Sequence, residues 1–219
     1  MNKFPDEVIL QARKSQDIEF ISDQIELEDS LPEEYLQTVE MGERSISIKI
    51  PAFLQDMPLE LRELKYQYEP SPQIVKTTAS GEINFTFSLL DLSVRPEQLE
   101  TIVKACKKAW RRVMPNLLFY EEREEIIHGI TVRWMEFANL SGGSRIYNLL
   151  FYAAAERVLV GSMNCPYHKH DTWIKVAKMC MRTLRGKEDD KETTGNSGSG
   201  ERTAGTYIYE SVAGASKEL

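Results

Sequence analysis

The chain has few of the residues and motifs that announce chemistry. Its 219 residues hold three cysteines, Cys106, Cys165 and Cys180, an odd and sparse set that builds no disulfide framework. Cys106 and Cys180 fall on apolar helix faces, where a reduced, buried thiol is expected. This sparing use of cysteine points to the cytosol rather than to secretion. No run approaches the roughly 18 apolar residues that a helical span requires, so membrane insertion is not expected. The first residues, Met1-Asn2-Lys3-Phe4-Pro5-Asp6-Glu7, carry no signal-peptide core, which adds to the expectation of a cytoplasmic chain. There is no Gly-x-Ser-x-Gly elbow, and Ser141-Gly142-Gly143-Ser144 lacks the lysine and following helix of a phosphate-binding loop. These absences lead to the expectation that the chain is not an enzyme and carries no cofactor.

The composition is that of a globular domain: 42% hydrophobic and 9% aromatic, with length enough for one substantial core plus extensions. The net charge of −7 is unevenly spread. Residues 1–40 hold three basic and eleven acidic side chains, residues 41–185 hold 20 and 16, and residues 186–219 hold four and seven. An acidic arm and an acidic tail thus flank a mildly basic body. Such asymmetry is a device for solubility, or a sign that the arm lies over a basic patch and competes there with an anionic partner.

The pattern divides the chain into an acidic arm over residues 1–42, a domain over 43–186, and a flexible acidic tail over 187–219 with Gly195-Asn196-Ser197-Gly198-Ser199-Gly200 at its centre. In the arm, residues 4–14 suit a short helix, and Leu31-Pro32-Glu33-Glu34 reads as a helix start running toward Met41. In the tail, Gly205-Thr206-Tyr207-Ile208-Tyr209-Glu210 is an aromatic island that could add to a sheet edge. The domain opens on Ile46, Ile48 and Ile50, alternating with polar residues up to Pro51. Alternation returns at 64–68, 73–78 and 83–90, the last two joined by a Ser80-Gly81-Glu82 turn. Residues 96–113 form the clearest helix, with Leu99, Ile102, Val103, Cys106, Ala109, Trp110 and Val113 on one face. Extended segments follow at 117–122, 129–137, 145–154 and 157–163. A closing helix begins after Asp171, read as its cap, and buries Trp173, Val176, Ala177, Cys180 and Leu184. Strands joined by short loops imply an antiparallel sheet with helices against it, an α+β fold.

This order of elements resembles the DcrB/PsbP-like superfamily over about residues 43–186. The resemblance is carried by Ile46-Ser47-Ile48-Lys49-Ile50-Pro51, by paired strands ending at Leu89-Leu90-Asp91, by the helix at 96–113, and by Val158-Leu159-Val160-Gly161-Ser162-Met163-Asn164-Cys165-Pro166 with the helix after it. It implies an antiparallel sheet flanked by helices, a PsbP-like α/β/α sandwich. It also implies binding rather than catalysis, since members of this kind include photosystem subunits, a partner of a small GTPase and Eag chaperones of secreted toxins. It supplies no functional motif to carry over.

Three sites are candidates. Lys104, Lys107, Lys108, Arg111 and Arg112 lie opposite the apolar face of the long helix, an electrostatic footprint that could attract phosphates or an acidic peptide, with a solvated helix face as the competing reading. Exposed aromatics suited to base stacking are not interleaved with them, which favours a protein or peptide over nucleic acid. Cys165, His168 and His170 could give zinc three ligands, but no second ligand pair accompanies them, so a polar loop capped by Asp171 is the competing reading. Glu121-Glu122-Arg123-Glu124-Glu125 offers adjacent carboxylates, more in keeping with the guarding of a strand edge than with acid–base work. The leading expectation is a non-enzymatic, cytosolic domain that holds a peptide or protein segment, with a second copy of the chain as a further candidate partner. The alternatives are a chaperone or adaptor for a secreted toxin, and a metal-dependent module using Cys165, His168 and His170.

Overall fold

The alternating segments join into two antiparallel sheets, seen in a computed structural model that describes residues 31–43, 45–67, 70–139 and 145–186. The first sheet has three strands in the order β1-β2-β10: β1 (Leu36–Met41), β2 (Ile46–Pro51) and β10 (Arg185–Gly186). The second has seven, in the order β3-β4-β5-β9-β8-β7-β6. Its members are β3 (Gln55–Asp56), β4 (Ile74–Thr77), β5 (Asn84–Leu89), β6 (Leu117–Ile127), β7 (Ile130–Asn139), β8 (Ile146–Ala154) and β9 (Val158–Pro166). The helices are α1 (Leu59–Lys65), α2 (Leu99–Val113) and α3 (His170–Arg182).

The route of the chain explains the layers. From β5, inside the large sheet, it crosses one face as α2 and enters the edge strand β6. It then returns strand by strand through β7 and β8, and β9 closes beside β5. Strand alternation sends two sets of side chains to opposite faces. Met135, Phe137, Leu150, Tyr152, Val158 and Val160 pack with Leu99, Val103, Cys106 and Trp110 of α2. Trp134, Leu149, Phe151, Leu159 and Met163 face the other way, with Trp173, Val176 and Cys180 of α3 and the isoleucines of β2. The α+β architecture with an antiparallel sheet between helices is therefore as expected, with the small sheet completing the α3 layer.

Four expectations are corrected. The boundary at residue 43 lies inside the fold: β1 pairs with β2 from Leu36↔Pro51 to Met41↔Ile46, and Leu31, Val39 and Met41 are buried. The helix start at Pro32 yields only a 3₁₀ turn, Glu33–Tyr35, because the apolar residues beyond it repeat every second position. Where alternation suggested a strand over 64–68, the described residues 64–67 contain none; α1 begins after Pro58, which has no amide hydrogen to lose at a helix start, and ends at Lys65. Finally, β9 does not stop at Met163. It runs between β5 and β8 as far as Asn164 and continues along β8 to Pro166, with Tyr147↔Cys165 and Ile146↔Pro166 still paired. The readings made for residues 4–14, 141–144 and 187–219, including the aromatic island, lie outside the described residues.

Candidate functional site

Helix α2 is divided lengthwise by its sequence. Leu99, Ile102, Val103, Cys106 and Trp110 are buried against the sheet, while Lys104, Lys108, Arg111 and Arg112 are exposed and Lys107 is half-buried. Val113, expected on the apolar face, is exposed at the helix end. All five predicted cations, with Glu122 of β6, line one open cleft of about 540 Å³.

Three of the five cations have partners. Lys107 donates to Glu122 Oε2 at 2.8 Å and lies 4.8 Å from the Phe119 ring centre. Arg111 stacks over the same ring at 5.1 Å. Lys104 pairs with Glu100, one helical turn back, at 2.6 Å, and its hydrogen bond holds the Glu100 carboxyl below the usual range. Lys108 and Arg112 have neither a hydrogen bond nor an ion pair with any described residue. The cleft is thus a concentration of fixed positive charge in which a single lining carboxylate is already engaged.

The carboxylates of β6 alternate between the two layers. Glu122 reaches Lys107 and Glu124 reaches Arg133 at 2.7 Å, on the α2 side. Glu121 reaches Lys178 at 2.9 Å and Glu125 reaches Arg182 at 3.1 Å, on the α3 side. Glu125 also accepts from Trp134 Nε1 at 2.9 Å. The Arg182 hydrogen bond is the main reason that the Glu125 carboxyl is depressed. Glu121, Glu122 and Glu125 tie the edge strand to both helical layers, and Glu124 ties it to Arg133 of β7.

The Cys165, His168 and His170 cluster does not converge. Cys165 is fully buried in the β9 register that faces α3, and burial pushes its thiol up to about 12. His168 is exposed in the 3₁₀ turn Tyr167–Lys169. His170 opens α3, with Nδ1 2.7 Å from the Tyr167 carbonyl oxygen and its ring stacked on Tyr167. Asp171 makes no capping hydrogen bond and its side chain is exposed. Among the described residues no three His, Cys, Asp or Glu side chains are placed to share an ion. The strand extension is the reason: it draws the thiol into the core before the histidines begin.

A polar cluster under α3 escaped sequence reasoning. Glu136 is 7% exposed, accepts a hydrogen bond from the Tyr147 hydroxyl, and lies 2.6 Å from Lys178 Nζ, an ion-pair contact without hydrogen-bond alignment. Lys178 also sits 4.3 Å over the Trp134 ring. Tyr120, Tyr147, Tyr167 and His170 stack around this group. The signal was present in the sequence, because Glu136 continues the inward series Val132, Trp134, Ala138.

No family model and no curated protein matches the sequence. Solved structures do. Similar to this chain is CyanoP, the cyanobacterial PsbP of Synechocystis sp. PCC 6803, at a TM-score of 0.52 and 9% identity, covering 72% of this chain and 95% of that one. The chain has the PsbP-like fold. LpqN, involved in cell envelope biogenesis of Mycobacterium tuberculosis, is similar at a TM-score of 0.46 and 11% identity, covering 68% of this chain and 88% of that one. The immunity protein TplEi of T6SS from Pseudomonas aeruginosa, complexed with "L" peptide, scores 0.38 at 10% identity, covering 85% and 86%. The fold assignment rests on the first. Within this fold, helix α2 and edge strand β6 carry the basic cleft, and no helix among the described residues is long and apolar enough to cross a membrane.

Proposed function

We propose that the chain is a non-enzymatic, cytoplasmic protein-binding domain whose α2 cleft holds an acidic segment of a partner protein. The observation that carries this reading is the convergence of Lys104, Lys107, Lys108, Arg111 and Arg112 on one cleft, with Lys108 and Arg112 unpaired among the described residues. The cations recur at helical spacing, so they present a row of charge along the α2 axis. A row of carboxylates on a partner matches it, and each contact formed there is charge-assisted. A binding role is favoured over a chemical one because the described lining is five cations and one carboxylate, Glu122, which Lys107 already engages, with no histidine, cysteine or hydroxyl side chain beside them.

The test is fluorescence anisotropy of a labelled oligoglutamate peptide with the full chain at rising salt. Binding that weakens steadily as salt screens the cleft is expected, since the Debye length falls from about 30 Å at 0.01 M to about 10 Å at 0.1 M. Tighter binding of oligodeoxythymidine than of oligoglutamate would overturn the protein-partner reading. Salt-independent binding would overturn the electrostatic one.

A further inference from the structure

A second cleft opens at the ends of the strands and shares no residue with the first. Its volume is about 690 Å³, within the roughly 300–1,000 Å³ of small-ligand sites. Four separate segments build it: α1 supplies Leu61 and Lys65, the β4–β5 turn supplies residues 80–82, the start of β8 supplies Arg145 and Ile146, and the end of β9 with its turn supplies Pro166, Tyr167 and His168. Leu61, Ile146, Pro166 and Tyr167 give it mainly apolar walls.

Two cations, Lys65 and Arg145, stand on those walls beside Ser80, Glu82 and His168. Lys65 Nζ donates to the Gly81 carbonyl at 2.5 Å, which leaves two of its three donors for another acceptor. Burial is the main influence on this ammonium and lowers its pKa, with Glu82 opposing, so the charge is short of compensation. Glu82 cannot supply it fully, because its carboxylate is engaged by Lys169 at 2.7 Å. The exposed Arg145 guanidinium has no hydrogen bond or ion pair with any described residue. Apolar walls, two under-compensated cations and an occupied carboxylate select against cationic and fully polar ligands.

We propose that this cleft binds a small amphiphilic carboxylate, its apolar body on Leu61, Ile146, Pro166 and Tyr167 and its headgroup on Lys65 and Arg145. The guanidinium fork matches a carboxylate in bidentate geometry, and the ammonium takes the remaining lone pairs. The cleft needs nothing from α2, so it stands or falls separately from the proposed protein-binding site.

The test is calorimetric titration of the full chain with decanoate and, in parallel, with 1-decanol, while backbone amide shifts are followed by NMR. Decanoate is expected to saturate at one equivalent, to shift the amides of Gly81, Arg145 and His168, and to bind at least tenfold tighter than decanol. Arg145→Gln, at an exposed position, is expected to weaken decanoate about tenfold, the scale of one lost charge-assisted hydrogen bond, with decanol binding and the melting temperature unchanged. Decanoate that binds no tighter than decanol, that fails to saturate, or that is indifferent to Arg145→Gln would overturn the proposal.

Discussion

Lys178 is held by three groups at once, Glu136 at 2.6 Å, Glu121 at 2.9 Å and the Trp134 ring at 4.3 Å, and Glu136 in turn accepts from the Tyr147 hydroxyl. Removing the ammonium leaves the 7%-exposed Glu136 without its counter-ion, and the desolvation of that carboxylate is then uncompensated. Lys178 keeps partial contact with water, so the cost is that of a screened pair. Lys178→Met is therefore expected to destabilise the chain by about 1–3 kcal/mol in urea unfolding. Lys178→Met combined with Glu136→Gln should recover part of that loss, and the cycle would show coupling of at least about 0.5 kcal/mol. Additive losses would place the cost in packing alone. At this scale the sequence was only partly legible. The helical spacing of Lys104, Lys107, Lys108, Arg111 and Arg112 placed them opposite the apolar face, but the cleft that they line was not readable from it. Glu136 stood in an inward register and was readable. The separation of Cys165 from His168 and His170 was not, because it depends on where a strand ends, and local residue types mark that poorly.

Strand β9 shows how one element sets the core. It is the seam where the returning chain meets β5, with Phe87, Gly161 and Phe151 in one row across β5, β9 and β8. A side chain at Gly161 has no room: its Cβ would stand 2.1 Å from Phe151 Cζ. The Phe151 ring is 3% exposed and cannot swing into solvent. Gly161→Ala should therefore cost about 1–3 kcal/mol through overpacking, read as an earlier urea midpoint. Gly161→Ala combined with Phe151→Leu should relieve the clash. An alanine variant as stable as the parent would show that the row is loosely packed. Alternation revealed most of the strands, because each keeps one face on a core and a period of two is hard to mistake over five or more residues. It failed at β1, where Val39 and Met41 follow a stronger local helix signal. It failed again at α1, whose buried contact is left to Tyr66 just beyond the helix.

Across the whole molecule, charge decides which surfaces are open to partners. The edge strand β6 presents Glu121-Glu122-Arg123-Glu124-Glu125, so antiparallel pairing of two copies about Arg123 would set glutamates opposite glutamates. The same carboxylates are tied to Lys107, Arg133, Lys178 and Arg182, and among the described residues Lys108 and Arg112 of the α2 cleft have neither a hydrogen bond nor an ion pair. The layered fold was legible from element order, whereas the second cleft was not, because its walls come from four segments that no sequence window brings together. The central claim is that the α2 cations are where an acidic partner binds. The direct measurement is the affinity of the full chain for labelled oligoglutamate, before and after Lys108→Glu combined with Arg112→Glu. Both side chains are exposed and unpaired among the described residues, so the melting temperature should move by no more than a degree or two, which makes affinity the only readout that changes. A loss of tenfold or more is the predicted result. Equal affinity of parent and charge-reversed chains would contradict the account.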